Sequence, residues 1–412
     1  MKTATLTFAA GGMGSNLAKH FVERRISVIW ALLLFNGLPW MGISIVPIPQ
    51  SLGQLLAMSA LGIAALLAMD LNRRLLVRPN FVLLLFLLLA ATGLVAGVRG
   101  TAGLGAIARS MRLFAFLGVL WLLTPWWGRR DLLLARCHLR ALLGVSATVI
   151  VGLLVAPTAA LGIGGRLAGV IWPLWPTAVG HVAGVSAGMA AVLWLSHSIA
   201  SKRAVAIGLL GIALLLLSQT RTALLALVGG LLCAALSLFI ARRRVRRAIA
   251  VVLVLVPMAA MALAPAFATW FARGQSTEQL RGLTGRKHVW TMLLNTPRSE
   301  FNQWFGFGFS DRGFAGLPID NSWLSVYHDQ GIIGVTIVGT VVLFLLLAPA
   351  FRVAATSRSL AIFLVVYCAI ESYTEVGLGD ASPYLLELTV AASLLQTRSE
   401  SEDDGLSAEV PT

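Results

Sequence analysis

The chain has 412 residues, of which 58% are apolar and only 12% are charged, and its mean hydropathy is +0.85. Because about 25% of the residues of an ordinary soluble domain are charged, this composition excludes a soluble globular protein and indicates an integral membrane protein. The formal charge of +15 would suggest nucleic acid binding in a soluble chain, but cytoplasmic loops rich in Lys and Arg explain it here, and we expect no nucleic-acid partner.

Apolar segments long enough to be membrane spans follow one another along most of the chain. About 20 helical residues cross the hydrocarbon layer of a bilayer. On this measure we predict an all-α, polytopic membrane protein with about twelve transmembrane helices. The predicted spans are 26–47, 50–70, 81–98, 113–127, 141–162, 178–200, 204–219, 222–241, 248–272, 331–350, 359–373 and 383–397.

One long polar segment, residues 273–330, interrupts the apolar chain between the ninth and tenth predicted spans. It separates a nine-span region, 1–272, from a three-span region, 331–397. A connection of this length is usually functional or disordered, and the many aromatic residues of the segment argue against disorder. We therefore predict a catalytic loop at 273–330 and a disordered cytoplasmic tail at 398–412.

The basic residues predict the orientation of the chain in the membrane. If both termini are cytoplasmic, 21 of the 32 Lys and Arg residues lie on the inner side, including the cluster at 242–247. This distribution follows the positive-inside rule, and it places the loop at 273–330 outside the cytoplasm. Basic residues that remain on the outer side need a different explanation.

Arg221 is the first of these outer basic residues. It interrupts an apolar stretch at 204–241, which as one helix would be about 57 Å long. We therefore predict two spans joined by a tight turn near Arg221. An arginine at a membrane border usually faces a cavity or an anion, so we predict that Arg221 binds an anion, the alternative being a side chain that extends to the lipid headgroups.

A second basic group opens a predicted helix in the loop. Arg286, Lys287 and His288 follow Thr284, which we predict to cap a helix that ends at Pro297. Basic residues in a first turn oppose the helix dipole, so we predict an anion beside Arg286 and Lys287. An interfacial helix that binds anionic lipid headgroups is the alternative.

The end of the loop carries the residues that could move a proton. Asp320 is predicted to be the N-cap of the next helix, and a helix start also suits a diphosphate group. Alternatively, Asp320 or His328 could act as a base towards an incoming hydroxyl. The loop has neither an Asp-x-Asp pair nor a cluster of His and Cys, so we predict no metal site, and we predict no cofactor.

Acidic residues near the last two spans are costly in lipid. Glu371 could pair with one of the arginines, and we expect Glu375 and Asp380 to face the outer water.

Three motifs occur in a fixed order in this part of the chain. They are Ser-x-x-Arg-x-x-x-Leu at 218–225, Thr-Gly-Arg-x-x-x-Trp at 284–290 and Asp-Asn-x₉-Gly-x-x-Gly at 320–334. With these motifs and the many-span layout, residues 204–350 resemble the O-antigen ligase and polymerase superfamily of bacterial envelope glycosyltransferases. The resemblance implies an inner-membrane enzyme that moves a glycan from an undecaprenyl diphosphate carrier to a hydroxyl acceptor at the periplasmic face, among membrane lipids.

The resemblance also assigns roles to residues. Arg221 and Arg286 would hold the diphosphate, assisted by Lys287 and Asn321. Ligases of this superfamily have His followed by Asn, Ser or Gln before the nine-residue gap, whereas Asp320 replaces the histidine here and Asn321 keeps the second position. The base would then be Asp320 or His328.

Three functions follow from these features. The first is a ligase-like, metal-independent glycosyltransferase in which two guanidinium groups stabilise the leaving diphosphate. The second is a polysaccharide polymerase of the same superfamily, which joins repeat units. The third is a transporter or flippase of an anionic lipid or solute, which predicts inverted repeats; we see none in the sequence.

Overall fold

Helices dominate the computed structural model, which describes residues 8–39, 45, 49–100, 103–128, 132–239, 242–272, 275, 285–309, 313–352 and 354–396. The helices are α1 (Phe8–Gly37), α2 (Gln50–Leu71), α3 (Phe81–Arg99), α4 (Gly103–Leu122), α5 (Leu133–Val155), α6 (Pro157–Ala160), α7 (Pro176–Leu195), α8 (Ser201–Ser218), α9 (Arg221–Leu238), α10 (Arg243–Ala272), α11 (Arg286–Asn295), α12 (Glu300–Phe305), α13 (Ser322–Leu347), α14 (Pro349–Arg352), α15 (Ala355–Glu371) and α16 (Pro383–Leu394). A 3-10 turn lies at Thr124–Trp126, and the two-residue strands β1 (Gly313–Phe314) and β2 (Leu317–Pro318) pair antiparallel.

Within the described residues, eight helices are long and apolar enough to cross a membrane, namely α2, α3, α4, α5, α7, α8, α9 and α13. This finding confirms an all-α, multi-pass membrane protein. The count of twelve spans and the periplasmic placement of the loop stay predictions, and the predicted disordered tail lies outside the described residues.

The core of the molecule is formed by helices that other helices surround. Every residue of the short helix α16 is buried, and most residues of α7 are buried as well. A helix that is apolar on all sides is expected in this position. Glycines allow neighbouring helices to approach α7 closely. A Cβ added to Gly211 of α8 would lie 2.7 Å from the carbonyl oxygen of Ala183 in α7.

The tight turn predicted near Arg221 is confirmed. Helix α8 ends at Ser218, Gln219 adopts a left-handed conformation with φ of 52°, and α9 begins at Arg221. The end of α8 is held from outside, because the backbone N–H of Leu167 donates to the carbonyl of Leu217 at 2.9 Å.

The predicted loop at 273–330 ends earlier in the structure than the sequence analysis expects. Helix α13 begins at Ser322, so the last nine residues of the predicted loop are helical. Gly331 interrupts this helix with φ of 66° and ψ of −162°. A Cβ at Gly331 would lie 2.3 Å from the carbonyl oxygen of Trp304, so the kink lets α12 pack directly against the backbone of α13.

The predicted N-cap of this helix is also wrong. Asn321, not Asp320, caps α13, with its side chain accepting from the Leu324 backbone N–H at 2.9 Å. Asp320 has a φ of 42° and its carboxylate contacts Arg286 instead. The carboxylate of Asp320 thus pairs with the oppositely charged guanidinium of Arg286, and the neutral amide of the next residue, Asn321, caps the helix.

Candidate functional site

A cavity of about 540 Å³ lies where several helices begin. We call it the arginine cavity. Its charged lining residues are Arg166, Arg221, Arg286, Asp320 and Glu375, and Thr177, Thr220, Thr222 and His288 add polar groups to the lining. It therefore brings together side chains that are more than 200 residues apart in the sequence.

Three helices direct their N-termini towards the arginine cavity. Thr177 lies in the first turn of α7, Arg221 opens α9, and Arg286 opens α11, and all three residues line the cavity. The first turns of these helices contain no acidic residue. Free backbone N–H groups and the positive ends of the helix dipoles therefore add to the arginine charges, an arrangement that favours a bound anion.

Arg221 is held from the side of α10. Its Nη2 donates to the carbonyl of Ala272 at 3.2 Å and to Oε1 of Gln275 at 2.9 Å, and its guanidinium carbon lies 4.9 Å from the ring centre of Phe271. Its Nε is buried and has no hydrogen-bond partner among the described residues. A buried, charged N–H without a partner is costly, so the protein alone satisfies the guanidinium of Arg221 only in part.

Arg166 is a cavity residue that the sequence analysis did not select. Its Nε donates to the carbonyl of Ser218 at 3.0 Å. Burial lowers the pKa of Arg166, Glu375 opposes this effect, and the nearby charges of Arg286 and Arg221 lower the pKa further. The three guanidinium groups thus repel one another across the cavity, and an anion between them would relieve that repulsion.

Arg286 makes ionic contacts with two carboxylates. Its Nε donates to Oδ2 of Asp320 at 3.1 Å, and its Nη2 lies 3.6 Å from Oε1 of Glu375. Helix α11 starts after Gly285, which has a φ of 89° and makes no side-chain cap; the predicted cap Thr284 lies outside the described residues. Protein carboxylates therefore offset part of the charge conflict in this first turn, and an incoming anion competes with them for Arg286.

Glu375 does not face open water as expected. Its side chain is only 19% exposed, and burial raises the pKa of its carboxyl to about 8, against the attraction of Arg286 and with the help of Glu371 and Asp320. Near pH 7 most molecules then carry a neutral Glu375. Three arginines and the Asp320 carboxylate leave two net positive charges in the cavity, which equals in size the charge of a diphosphate diester.

The expectation for Asp380 is wrong for a related reason. Asp380 is 7% exposed, and its Oδ1 accepts the backbone N–H of Ala381 at 2.7 Å. The segment between α15 and α16 is packed into the protein and does not project from it.

Asn321 and Ser322 hold the backbone of this segment. Nδ2 of Asn321 donates to the carbonyl of Tyr373 at 2.9 Å, and the Ser322 backbone N–H donates to the carbonyl of Ser372 at 2.9 Å. The Ser322 hydroxyl donates to the carbonyl of Glu375 at 2.7 Å. Asn321, predicted to bind the diphosphate, is 4% exposed and does not line the cavity; in the structure it positions the segment that carries Glu375.

Lys287 and His328 also lie outside the cavity lining. Lys287 is exposed. His328 is buried in α13, where its Nδ1 lies 3.0 Å from Oδ1 of Asp329 and its ring stacks on Phe307 with 5.2 Å between centroids. His328 follows Ser322 by six positions in the helix, so it lies about 9 Å further along the axis of α13 than Ser322 does. The roles given to these two residues are predictions that the geometry does not favour.

Glu371 pairs with a histidine and not with an arginine, contrary to the expectation. His181 of α7 lies between two carboxylates, with Nδ1 at 2.6 Å from Oε2 of Glu371 and Nε2 at 2.8 Å from Oε1 of Glu387. Sγ of Cys368 donates to Oε2 of Glu387 at 2.9 Å. These buried groups hydrogen-bond to one another and join α7, α15 and α16.

Of the predicted site residues, the arginine cavity thus brings together Arg221, Arg286 and Asp320. Residues 205–339 match the family model described as O-antigen ligase. The match confirms the resemblance that the three motifs indicate. It supports a membrane enzyme of the O-antigen ligase and polymerase type, for which the family implies lipid-linked glycan substrates. Arg166 and Glu375 lie outside the matched region, and no curated protein matches the chain.

Proposed function

We propose that the protein is a bacterial inner-membrane glycosyltransferase that moves a glycan from an undecaprenyl diphosphate carrier to a hydroxyl acceptor, as an O-antigen ligase does. The observation that carries the proposal is the meeting of Arg166, Arg221 and Arg286 in one cavity. These residues come from three separate segments of the chain. Such a cluster of permanent charges at three helix starts suits a diphosphate better than a neutral substrate.

The difficult step in this reaction is the growth of negative charge on the leaving diphosphate. As the bond from the sugar to the diphosphate breaks, the charge of the diphosphate increases from two to three units. Guanidinium groups that are already in place stabilise this increase without reorganising. The donor takes over the guanidinium of Arg286 from Glu375, and direct displacement inverts the configuration at the anomeric carbon.

Arg221 and Arg286 hold the diphosphate in this proposal, and Arg166 adds a third charge. Both termini lie in the cytoplasm and the arginine cavity opens to the periplasm, as the distribution of basic residues predicts. The diphosphate then lies at the height of the lipid headgroups, while the carrier chain stays in the bilayer. The reaction requires no nucleotide, because the lipid diphosphate already activates the sugar.

The test uses a deletion strain that is complemented with single variants. Arg221→Ala and Arg286→Ala should abolish glycan transfer while the protein still accumulates in membranes. Arg73→Ala is the matched control, because Arg73 is 70% exposed, pairs with Asp70 and does not line the cavity. Normal transfer by both cavity variants would refute the proposal.

The envelope glycans of the deletion strain separate ligase from polymerase. Loss of a ligase leaves long chains on the lipid carrier, whereas loss of a polymerase leaves single repeats on the acceptor. Lipid flipping or solute uptake by proteoliposomes, without any covalent product, would support a transporter and contradict both.

A further inference from the structure

Glu375 is the carboxylate of the arginine cavity that the family match does not include. We propose that Glu375 is the catalytic base that takes the proton from the acceptor hydroxyl, in place of Asp320 or His328. The inference rests on the proposed glycosyltransferase function. It adds a catalytic residue from the segment between α15 and α16.

Geometry favours Glu375 over the two alternatives. His328 does not line the cavity. Asp320 is hydrogen-bonded to Nε of Arg286 at 3.1 Å, so its carboxylate orients that guanidinium. Glu375 lies 3.6 Å from Nη2 of Arg286, beyond a direct hydrogen bond, and a carboxylate has several lone pairs with which to accept from a hydroxyl.

Glu375 is also held in a fixed position relative to the diphosphate-binding groups. Its backbone N–H donates to the carbonyl of Glu371 at 3.1 Å, and its carbonyl accepts from Ser322. The hydroxyl of the preceding Thr374 donates to the hydroxyl of Thr222 at 2.7 Å. Thr222 follows Arg221 directly, so one hydrogen bond links the segment of the base to the segment of the diphosphate clamp. Such fixed geometry is what proton transfer in a displacement reaction needs.

The acidity of Glu375 fits this task. Burial is the main reason that its pKa is about 8, and Arg286, Glu371, Asp320 and Thr177 also act on it. Arg166, a third cavity arginine, is attracted to the Glu375 carboxylate as well. A general base works best when its pKa lies near the working pH. When the diphosphate engages Arg286, the attraction that lowers the pKa of Glu375 weakens, so the bound donor raises this pKa further and moves the rise of the rate towards higher pH.

The step balances in atoms and charge. The acceptor oxygen forms a bond to the anomeric carbon of the donor sugar, and its proton passes to the Glu375 carboxylate. The bond between the anomeric carbon and the diphosphate oxygen breaks, and its electron pair stays on that oxygen. The diphosphate gains one negative charge and Glu375 loses one. Release of the proton to water then restores Glu375.

The test measures transfer by the purified full-length protein added to membranes of the deletion strain, which contain both the lipid-linked donor and the acceptor. Glu375→Gln should lower kcat by about 10²- to 10⁴-fold, the usual contribution of a general base, and Glu375→Asp should retain part of the activity. The wild-type rate should rise with pH through about pH 8, where half of the Glu375 carboxyl groups are ionised, and level off roughly one pH unit higher. This rise should be absent in Glu375→Gln but present in Asp320→Asn.

One binding measurement and one control variant separate a catalytic from a structural role. Undecaprenyl diphosphate, used as a probe, should raise the thermal stability of Glu375→Gln as much as that of wild type, because the arginines remain. Asp70→Asn is the matched carboxylate control, since Asp70 pairs with Arg25 and Arg73 and does not line the cavity.

The inference is overturned if Glu375→Gln transfers glycan at the wild-type rate with the same pH dependence, or if the pH dependence disappears in Asp320→Asn instead. In either case Arg221→Ala should still be inactive, and the proposed function would stand. A wild-type protein that transfers no glycan, or an active Arg221→Ala, would overturn both.

Discussion

Replacing Arg221 by lysine tests whether the fork of the guanidinium, and not its charge alone, holds the diphosphate. In the structure one nitrogen of Arg221, Nη2, contacts both the carbonyl of Ala272 at the end of α10 and the side chain of Gln275, and the buried Nε has no partner among the described residues. Lysine keeps the charge but cannot donate from two fixed positions. One lost charge-assisted hydrogen bond is worth about 1.5–3 kcal/mol, which corresponds to a transfer rate roughly 10- to 150-fold lower for Arg221→Lys.

Arg221→Ala removes the charge as well, so its loss should exceed that of the lysine variant. The removal of one donor from an anion-stabilising site typically costs about 10²- to 10³-fold in kcat. Because the diphosphate gains charge only as the bond breaks, most of each loss should appear in kcat and less in KM. The assay is the initial rate of transfer in membranes, with Arg73→Lys as the control. Wild-type activity of Arg221→Lys would refute bidentate binding, and equal binding of undecaprenyl diphosphate by wild type and Arg221→Ala would refute the clamp itself.

Three further outcomes are expected. Asn321→Ala removes the cap of α13 and one hydrogen bond to the segment before α16. Thermal unfolding in detergent should therefore show a loss of about 1–3 kcal/mol in the free energy of unfolding. Asn321→Asp should retain the cap, and unchanged unfolding of the alanine variant would contradict this prediction. His328→Gln should transfer glycan at the wild-type rate in the membrane assay, because His328 does not line the cavity, and a loss without a change in stability would restore His328 as a base. The pKa of Glu375 is about 8 in the fold and near 4.5 when unfolded. The free energy of unfolding should therefore fall as the pH rises from about 4.5 to about 8, by at most about 5 kcal/mol. Glu375→Gln should lack this share of the pH dependence, and an unchanged slope in that variant would place the titration elsewhere.

The sequence predicted the arginine turn because simple lengths decide it. An apolar stretch of 38 residues with Arg221 in its middle is too long for a single transmembrane helix, so two helices must meet near Arg221. The same kind of reasoning identified Arg286, since a basic residue in a first turn calls for a negative partner. The sequence could not tell that part of this partner is the protein itself. Asp320 and Glu375 contact Arg286 from 34 and 89 residues away.

The errors in the sequence analysis share one physical cause. Glu375 and Asp380 follow the end of a predicted span, and a position next to a span end normally means exposure to water. Whether the segment projects or packs depends on hydrogen bonds from Asn321 and Ser322, which lie about fifty residues earlier. Similarly, the predicted loop includes His328 because the apolar span is measured from residue 331, whereas the helix begins at Ser322 and kinks at Gly331.

Arg166 gave a signal that could have been used. It is a basic residue on the predicted outer side, between glycines and apolar residues, where the positive-inside rule does not explain it. Arg221 was selected by the same criterion. Only the packing of this segment against the end of α8 brings the two charges into one cavity.

The electrostatics of the cavity explain why carboxylates lie in a site for an anionic donor. Three guanidinium groups and three helix N-termini would repel one another strongly if nothing compensated them. Asp320 reduces this cost, and Glu375 adds to the effect in its ionised form, but only the Asp320 contact is a full hydrogen bond. A diphosphate can therefore displace Glu375 from Arg286 at a small cost and gains a bidentate partner in return. The carboxylate released in this way is the one that we propose as the base, so binding of the donor frees Glu375 from its ionic contact with Arg286.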